Sequence, residues 1–137
     1  MQTDTTVGFV SQNAEGLANR KNRPSGKAFL KTYASLAAYK KSGRVPARFR
    51  REIRRAAKTT YIVKTEAFRI VSEGDYHRLL APFGWLYSTS ANAAGARFEA
   101  DFARANADVV VEGARGLYET APSAIYALGR KTKRRIR

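Results

Sequence analysis

Apolar positions recur at two periods along this chain, and the switches between them predict its elements. Phe29-Leu30-Lys31-Thr32-Tyr33 alternates as a strand does. Thr59–Val63 and Ala67–Val71 predict two more strands joined by a short turn, and Trp85-Leu86-Tyr87 runs into a strand reaching Thr89. Val109-Val110-Val111 predicts a buried strand, Ala124–Leu128 another, and the basic tail a last short one around Ile136. Helical spacing fills the gaps. Asn13 is placed to cap a helix through Leu17 to Lys21 that stops before Pro24. Ser35 caps a second through Tyr39, ended by Gly43, and Pro46 opens a third. In that third helix Phe49, Ile53 and Ala56/Ala57 form one stripe, while Arg48, Arg51, Arg55 and Lys58 form another. Asp75 is placed to cap a fourth helix through Leu80, ended near Pro82-Phe83-Gly84. Phe98, Phe102 and Ala105 mark a fifth, with Glu99 and Asp101 at its positive dipole end. Irregular alternation of the two kinds predicts a mixed α/β domain with a twisted sheet.

A length of 137 residues fits one domain, 1–137, with one core. The absence of cysteine excludes a disulfide framework and thiolate metal sites, and a single His77 excludes a multi-histidine centre. No basic region followed by an apolar run suggests a secretory signal, and no apolar stretch approaches a membrane span; a cytoplasmic location is expected. Charge changes the picture more. The net charge is +15, and it is blocked: residues 1–58 carry +11, 59–129 carry −2 and 130–137 carry +6. Such blocks predict a polyanionic partner, a nucleotide, RNA or both. The cationic stripe Arg48, Arg51, Arg55 has few acids nearby to neutralise it and is a candidate seat for RNA phosphates.

Three short stretches carry candidate chemistry. Tyr87-Ser88-Thr89-Ser90-Ala91-Asn92, closed by Gly95, gathers hydroxyls, an amide and backbone N–H groups able to hold phosphate or carboxylate oxygens. Alternatively it is a strand end followed by a helix cap, with Asn92 or Ser90 as the capping residue. Gln2-Thr3-Asp4-Thr5 precedes Gly8, and Lys21-Asn22-Arg23-Pro24 is followed by Lys27. Lys21 and Arg23 fall on one side of an extended segment and suit an anion clamp, Arg offering a bidentate fork; alternatively they are a helix C-terminus, where the dipole favours cations.

In this order the three stretches resemble the YrdC-like family, the threonylcarbamoyl-AMP synthases. Its members typically read P-T-D-T-x-Y-G-L, then K-x-R-P, P-G-P-x-T, R-x-P and S-A-N-x-S-G, with a terminal S-T strand and a final Arg. Lys58-Thr59-Thr60, Phe68-Arg69-Ile70, Ala121-Pro122-Ser123-Ala124-Ile125 and Arg134-Arg135-Ile136-Arg137 are similar to the remaining elements, so the resemblance spans nearly the whole chain. The chain departs from it as a short, divergent member would. The strand and Pro before T-D-T are absent, P-G-P is replaced by the basic helix, and Val71 stands for the Pro of R-x-P.

The resemblance implies a YrdC-like twisted open sheet flanked by helices. It also implies synthesis of threonylcarbamoyl-AMP and pyrophosphate from L-threonine, bicarbonate and ATP, for the tRNA threonylcarbamoyladenosine (t6A) pathway. Lys21 and Arg23 would be the catalytic clamp. Lys21, Arg23, Ser90, Asn92, Arg69 and Arg137 would meet ATP, and Thr5 and Ser123 would hold threonine. ATP would act as a substrate with Mg2+, with no tightly bound cofactor and no protein metal site. The product would pass to a separate tRNA threonylcarbamoyltransferase complex. The alternative is a YrdC-like module that binds double-stranded RNA or tRNA without catalysis.

Overall fold

The computed structural model describes residues 1–21, 28–93 and 95–137. Among these residues seven strands form one sheet: β1 (Gly8–Ser11), β2 (Leu30–Tyr33), β3 (Thr59–Val63), β4 (Glu66–Ile70), β5 (Trp85–Ser90), β6 (Ala124–Leu128) and β7 (Lys133–Arg135), in the spatial order β1-β5-β2-β4-β3-β6-β7. The pairs β2–β4 and β3–β6 are parallel and the others antiparallel. The sheet is therefore mixed and open, with β1 and β7 at its edges, as the family resemblance implies.

Among the described residues five α-helices flank it: α1 (Ala14–Arg20), α2 (Leu36–Tyr39), α3 (Arg50–Arg55), α4 (Gly74–Leu80) and α5 (Ala100–Ala105). Two begin where local chemistry predicts. The Asn13 side chain accepts from the Gly16 N–H, and the Ser35 hydroxyl from the Ala38 N–H, each at 3.0 Å. Pro46 opens a single 3-10 turn, Ala47–Phe49, before α3 proper.

Strand alternation sorts the side chains onto two faces. Tyr33, Phe68, Ile70, Tyr61 and Leu128 share one face with α2 and α3, packing against Leu36, Tyr39, Phe49 and Ile53. Tyr39 stacks on Phe68 with ring centroids 3.9 Å apart, and Tyr33 meets Tyr39 edge-on at 5.2 Å. Each such ring takes on the order of 150–250 Å² out of water, so this aromatic layer is the main apolar contribution. At the β1 end, α1 and α5 continue the same cover through Leu17, Ala103 and Phe9. On the other face, among the described residues, α4 alone of the helices packs, through Tyr76 and Leu80 against Leu86 and Val71.

Four expectations are corrected. Val109-Val110-Val111 forms no strand and is exposed, Val109 at 76%. Asp108 and Glu112, at its two ends, pair instead with Arg20 and Arg104, which holds the segment as a strap across the surface. The cationic helix stops at Arg55, and Lys58 sits beyond it in the left-handed region, at φ 49°, so it does not extend the arginine stripe. Helix α4 starts one residue before Asp75, which pairs with Arg78 at 3.1 Å rather than capping. Lys21 lies in no extended segment: it is the C-terminal cap of α1, its N–H donating to the Leu17 carbonyl.

Candidate functional site

The face left open beyond α4 is polar. Register places Ser88 of β5 opposite Leu30 of β2, and Thr32 of β2 opposite both Leu86 and Arg69. Alternation therefore aims Ser88 and Ser90, Thr32, Arg69 and Thr60 to the same side. Two clusters stand on it.

The first is built by α1 and the end of β5. The Lys21 ammonium donates to the Ser90 carbonyl at 2.7 Å, the Ser90 hydroxyl at 2.9 Å and the Asn92 side-chain oxygen at 3.2 Å. Lys21 is buried while Ser90 is exposed, so a cation sits behind a solvent-facing hydroxyl. The Asn92 amide donates in turn to the Ala96 carbonyl, which closes the loop. Neither Ser90 nor Asn92 caps a helix, since α5 starts only at Ala100. Arg23 and Lys27 lie outside the described residues.

The second cluster is centred on Arg69, which is 5% exposed. Its Nη1 donates to Asp4 Oδ1 at 2.8 Å and Thr5 Oγ1 at 2.9 Å. Its Nε and Nη2 donate to Thr60 Oγ1 at 3.3 and 3.0 Å. Thr60 then shares a 3.0 Å hydrogen bond with the buried Ser123 hydroxyl. Arg137 adjoins this cluster, its Nε donating to the Ser123 carbonyl at 3.4 Å. Thr5, Arg69, Ser123 and Arg137 thus come together, although 132 residues separate the first from the last. Arg69 is engaged as an internal strut that holds the Asp4–Thr5 loop.

That loop links the clusters. The Thr3 hydroxyl accepts from the N–H groups of Thr5 and Thr6 and donates to the Thr6 carbonyl, which folds the turn. Gln2 bridges Val7, and Gly8 then pairs with Ser90. A Cβ at Gly8 would lie 2.9 Å from both Thr89 O and Thr3 Cγ2, so only glycine lets the turn lie this close to β5. Ser90 and Arg69 are two strands and four residues apart, which is roughly 16 Å in a flat sheet. That span suits an elongated ligand touching both clusters rather than one small ion.

Two further groups lie here, of which sequence reading missed Thr120. Thr32 is fully buried, bonded to the Tyr76 hydroxyl and, at 3.0 Å, to the Leu86 carbonyl. Burial pushes the Tyr76 phenol up to about 12, so it stays protonated as a donor in this layer. The Thr120 hydroxyl, on the approach to Ser123, is buried and has no hydrogen-bond partner among the described residues. Strand alternation pointed to Thr32; nothing local marked Thr120. A separate, largely apolar cavity of about 480 Å³ opens at the edge of β1, lined by Val10, Leu79 and Val109–Val111 among others. It contains none of the predicted site residues.

The cationic residues of the third helix stand elsewhere. Arg48, Arg51 and Arg55 are exposed, and Arg48 Nη1 donates to the Lys131 carbonyl at 3.0 Å.

Comparison with solved structures gives a match to the solution structure of the MTH1692 protein from Methanobacterium thermoautotrophicum. The TM-score is 0.66 at 17% identity, over 98% of this chain and 76% of that one. The two chains share a fold. No family model and no curated protein sequence matches this chain. The likeness is thus one of architecture: a mixed α/β open sheet flanked by helices. No helix among the described residues is long and apolar enough to cross a membrane.

Proposed function

We propose that the protein is an L-threonylcarbamoyladenylate synthase-like enzyme of the YrdC-like family. The observation that carries this reading is the pairing of Lys21 with Ser90 and Asn92, Ser90 lying on the same sheet face as Arg69, which joins Thr5 and, through Thr60, Ser123. These are the positions that the ordered motifs single out, and distant parts of the sequence supply them. The reaction asks little of the protein beyond cations, donors and placement. Threonine captures CO2 through its amine, the carbamate oxygen attacks the α-phosphorus of ATP, and pyrophosphate leaves. No protein nucleophile is required.

In this reading the triphosphate lies over Ser90 and Asn92, where Lys21 supplies counter-charge from behind. Mg2+ arrives with the nucleotide. Threonine lies toward Thr5 and Ser123, and the hydrogen bonds there fix its placement. Arg137, beside Ser123, approaches the nucleotide, and Arg23 completes the clamp with Lys21. The adenylate then leaves for a tRNA-modifying transferase.

The test is pyrophosphate release from ATP, Mg2+ and bicarbonate, with threonine and with serine. Threonine-dependent release is expected. Lys21→Met should lower kcat/KM by about a hundredfold or more, the scale of losing one electrostatic stabiliser of the transition state. Absence of threonine-dependent release from the folded protein would sink the proposal.

A second reading, compatible with the first, is binding of double-stranded RNA or tRNA. It is favoured by the exposure of Arg48, Arg51 and Arg55 on a chain of net charge +15. Binding that falls steeply with salt is its signature, and binding that salt leaves unchanged would remove it.

A further inference from the structure

A second group of exposed cations, unpaired among the described residues, lies at one end of the sheet, beyond the start of the arginine helix. Strands β3 and β6 are parallel and in register to their last residues, Val63 opposite Leu128. Their following turns, Lys64-Thr65 and Gly129–Thr132, therefore emerge side by side. The loop after α2 reaches the same end. It forms with the first of these turns a groove of about 530 Å³ lined by Lys40, Lys41, Arg44 and Lys64. Arg130 and Lys131 extend the row, tied to the start of the arginine helix by the Arg48–Lys131 hydrogen bond. All six cations are exposed, and none makes an ion pair among the described residues. Glu66 is the acid lining the groove, and it is held by Lys31 at 3.0 Å and by the Tyr33 hydroxyl at 3.3 Å.

We infer that this turn end of the sheet, Lys40, Lys41, Arg44, Lys64, Arg130 and Lys131, is a seat for the phosphate backbone of RNA. The inference rests on the RNA-binding reading above and places its contact surface here rather than on Arg51 and Arg55. Geometry selects the ligand. A single phosphate is gripped by cations that converge on one point; these come from three separate loops and run past the groove to Arg130 and Lys131. A linear polyanion matches such a row, and a small anion does not. The groove's aromatic ring, Tyr39, is buried against Phe68, so no platform for base stacking is offered. Recognition should therefore be of backbone charge, independent of sequence.

The test is fluorescence anisotropy with a labelled RNA duplex of about 20 base pairs, from about 50 to about 200 mM salt. Two triple variants are compared, Lys40→Gln/Lys41→Gln/Arg44→Gln and Lys64→Gln/Arg130→Gln/Lys131→Gln. Each should bind at least about tenfold more weakly, and lower the slope of log K against log salt by about two to three. Arg51→Gln/Arg55→Gln should change affinity less than about threefold. Circular dichroism melts confirm that the variants fold, as exposed sites allow. If Arg51→Gln/Arg55→Gln abolishes binding while the triple variants bind as wild type, the location is wrong and RNA binding stands. If the wild-type protein binds no RNA, the RNA reading itself falls, and the inference with it. Capture by phosphatidylserine vesicles in place of RNA would overturn it in favour of a lipid surface.

Discussion

Replacing Arg69 by methionine tests whether this guanidinium is a strut. The change keeps an unbranched apolar stem and removes the fork. It strips Asp4 of its counter-charge and Thr5 and Thr60 of their charged donor. The Arg69 and Asp4 side chains are only 6% and 17% exposed, so water replaces little of what is lost. Breaking such a pair from one side costs about 3–5 kcal/mol, whereas a solvent-exposed pair contributes about 1 kcal/mol at most. Against a total stability of about 5–15 kcal/mol, the loss is about a fifth or more. At about 3 °C per kcal/mol for a chain of this size, Tm should fall by about 9–15 °C. Urea unfolding followed by circular dichroism gives the value, with an unchanged m-value confirming that the native state is intact. Asp4→Asn/Arg69→Met should recover about 1–3 kcal/mol of the loss, because the orphaned charge is gone. A loss below about 1 kcal/mol in Arg69→Met would refute the strut. Full stability with loss of ATP binding would assign the guanidinium to the ligand instead.

Two further perturbations follow from contacts already described. Gly8→Ala forces a methyl group against the Thr89 carbonyl, which cannot rotate away. It should cost about 1–3 kcal/mol in chemical denaturation, and wild-type stability would show that the Thr3 turn gives way freely. The Lys133 ammonium bonded to Glu52 at 2.6 Å, joined by the Tyr61 hydroxyl, holds that carboxyl below its usual 4.5. Its stabilisation is present above pH 4.5 and lost as pH falls through the lowered folded-state value. Glu52→Gln should therefore flatten the acid limb of the stability curve below pH 4.5 and leave its shape at neutral pH unchanged. An unaltered acid limb would show that the contact is screened away.

What the sequence made legible was local. Asn13 and Ser35 announce their helices because a cap needs only the next three residues. The strand ending at Ser90 shows in the abrupt change from Trp85-Leu86-Tyr87 to small polar residues. Three consecutive valines promised a strand at 109–111 because β-branching favours extended backbone. A strand also needs a neighbouring edge, and that requirement is invisible in a window of three residues. The same limit hid the position of Lys58, whose left-handed backbone ends the arginine stripe early. In the site, motif order pointed to Lys21, Ser90 and Asn92, which do meet. It did not reveal that Arg69 spends its donors on Asp4, Thr5 and Thr60, because strand order is set by pairings between residues far apart in the chain.

Trp85 is the chain's single tryptophan, and it stands at the first position of the strand that ends in Ser90. Its indole meets Tyr87 edge-on at 5.1 Å and lies 5.6 Å from the Lys31 ammonium. The molecule therefore carries one built-in optical reporter. Its emission belongs to the β5 strand alone, and needs no added label to follow that strand as the sheet opens or as a solute settles beside it.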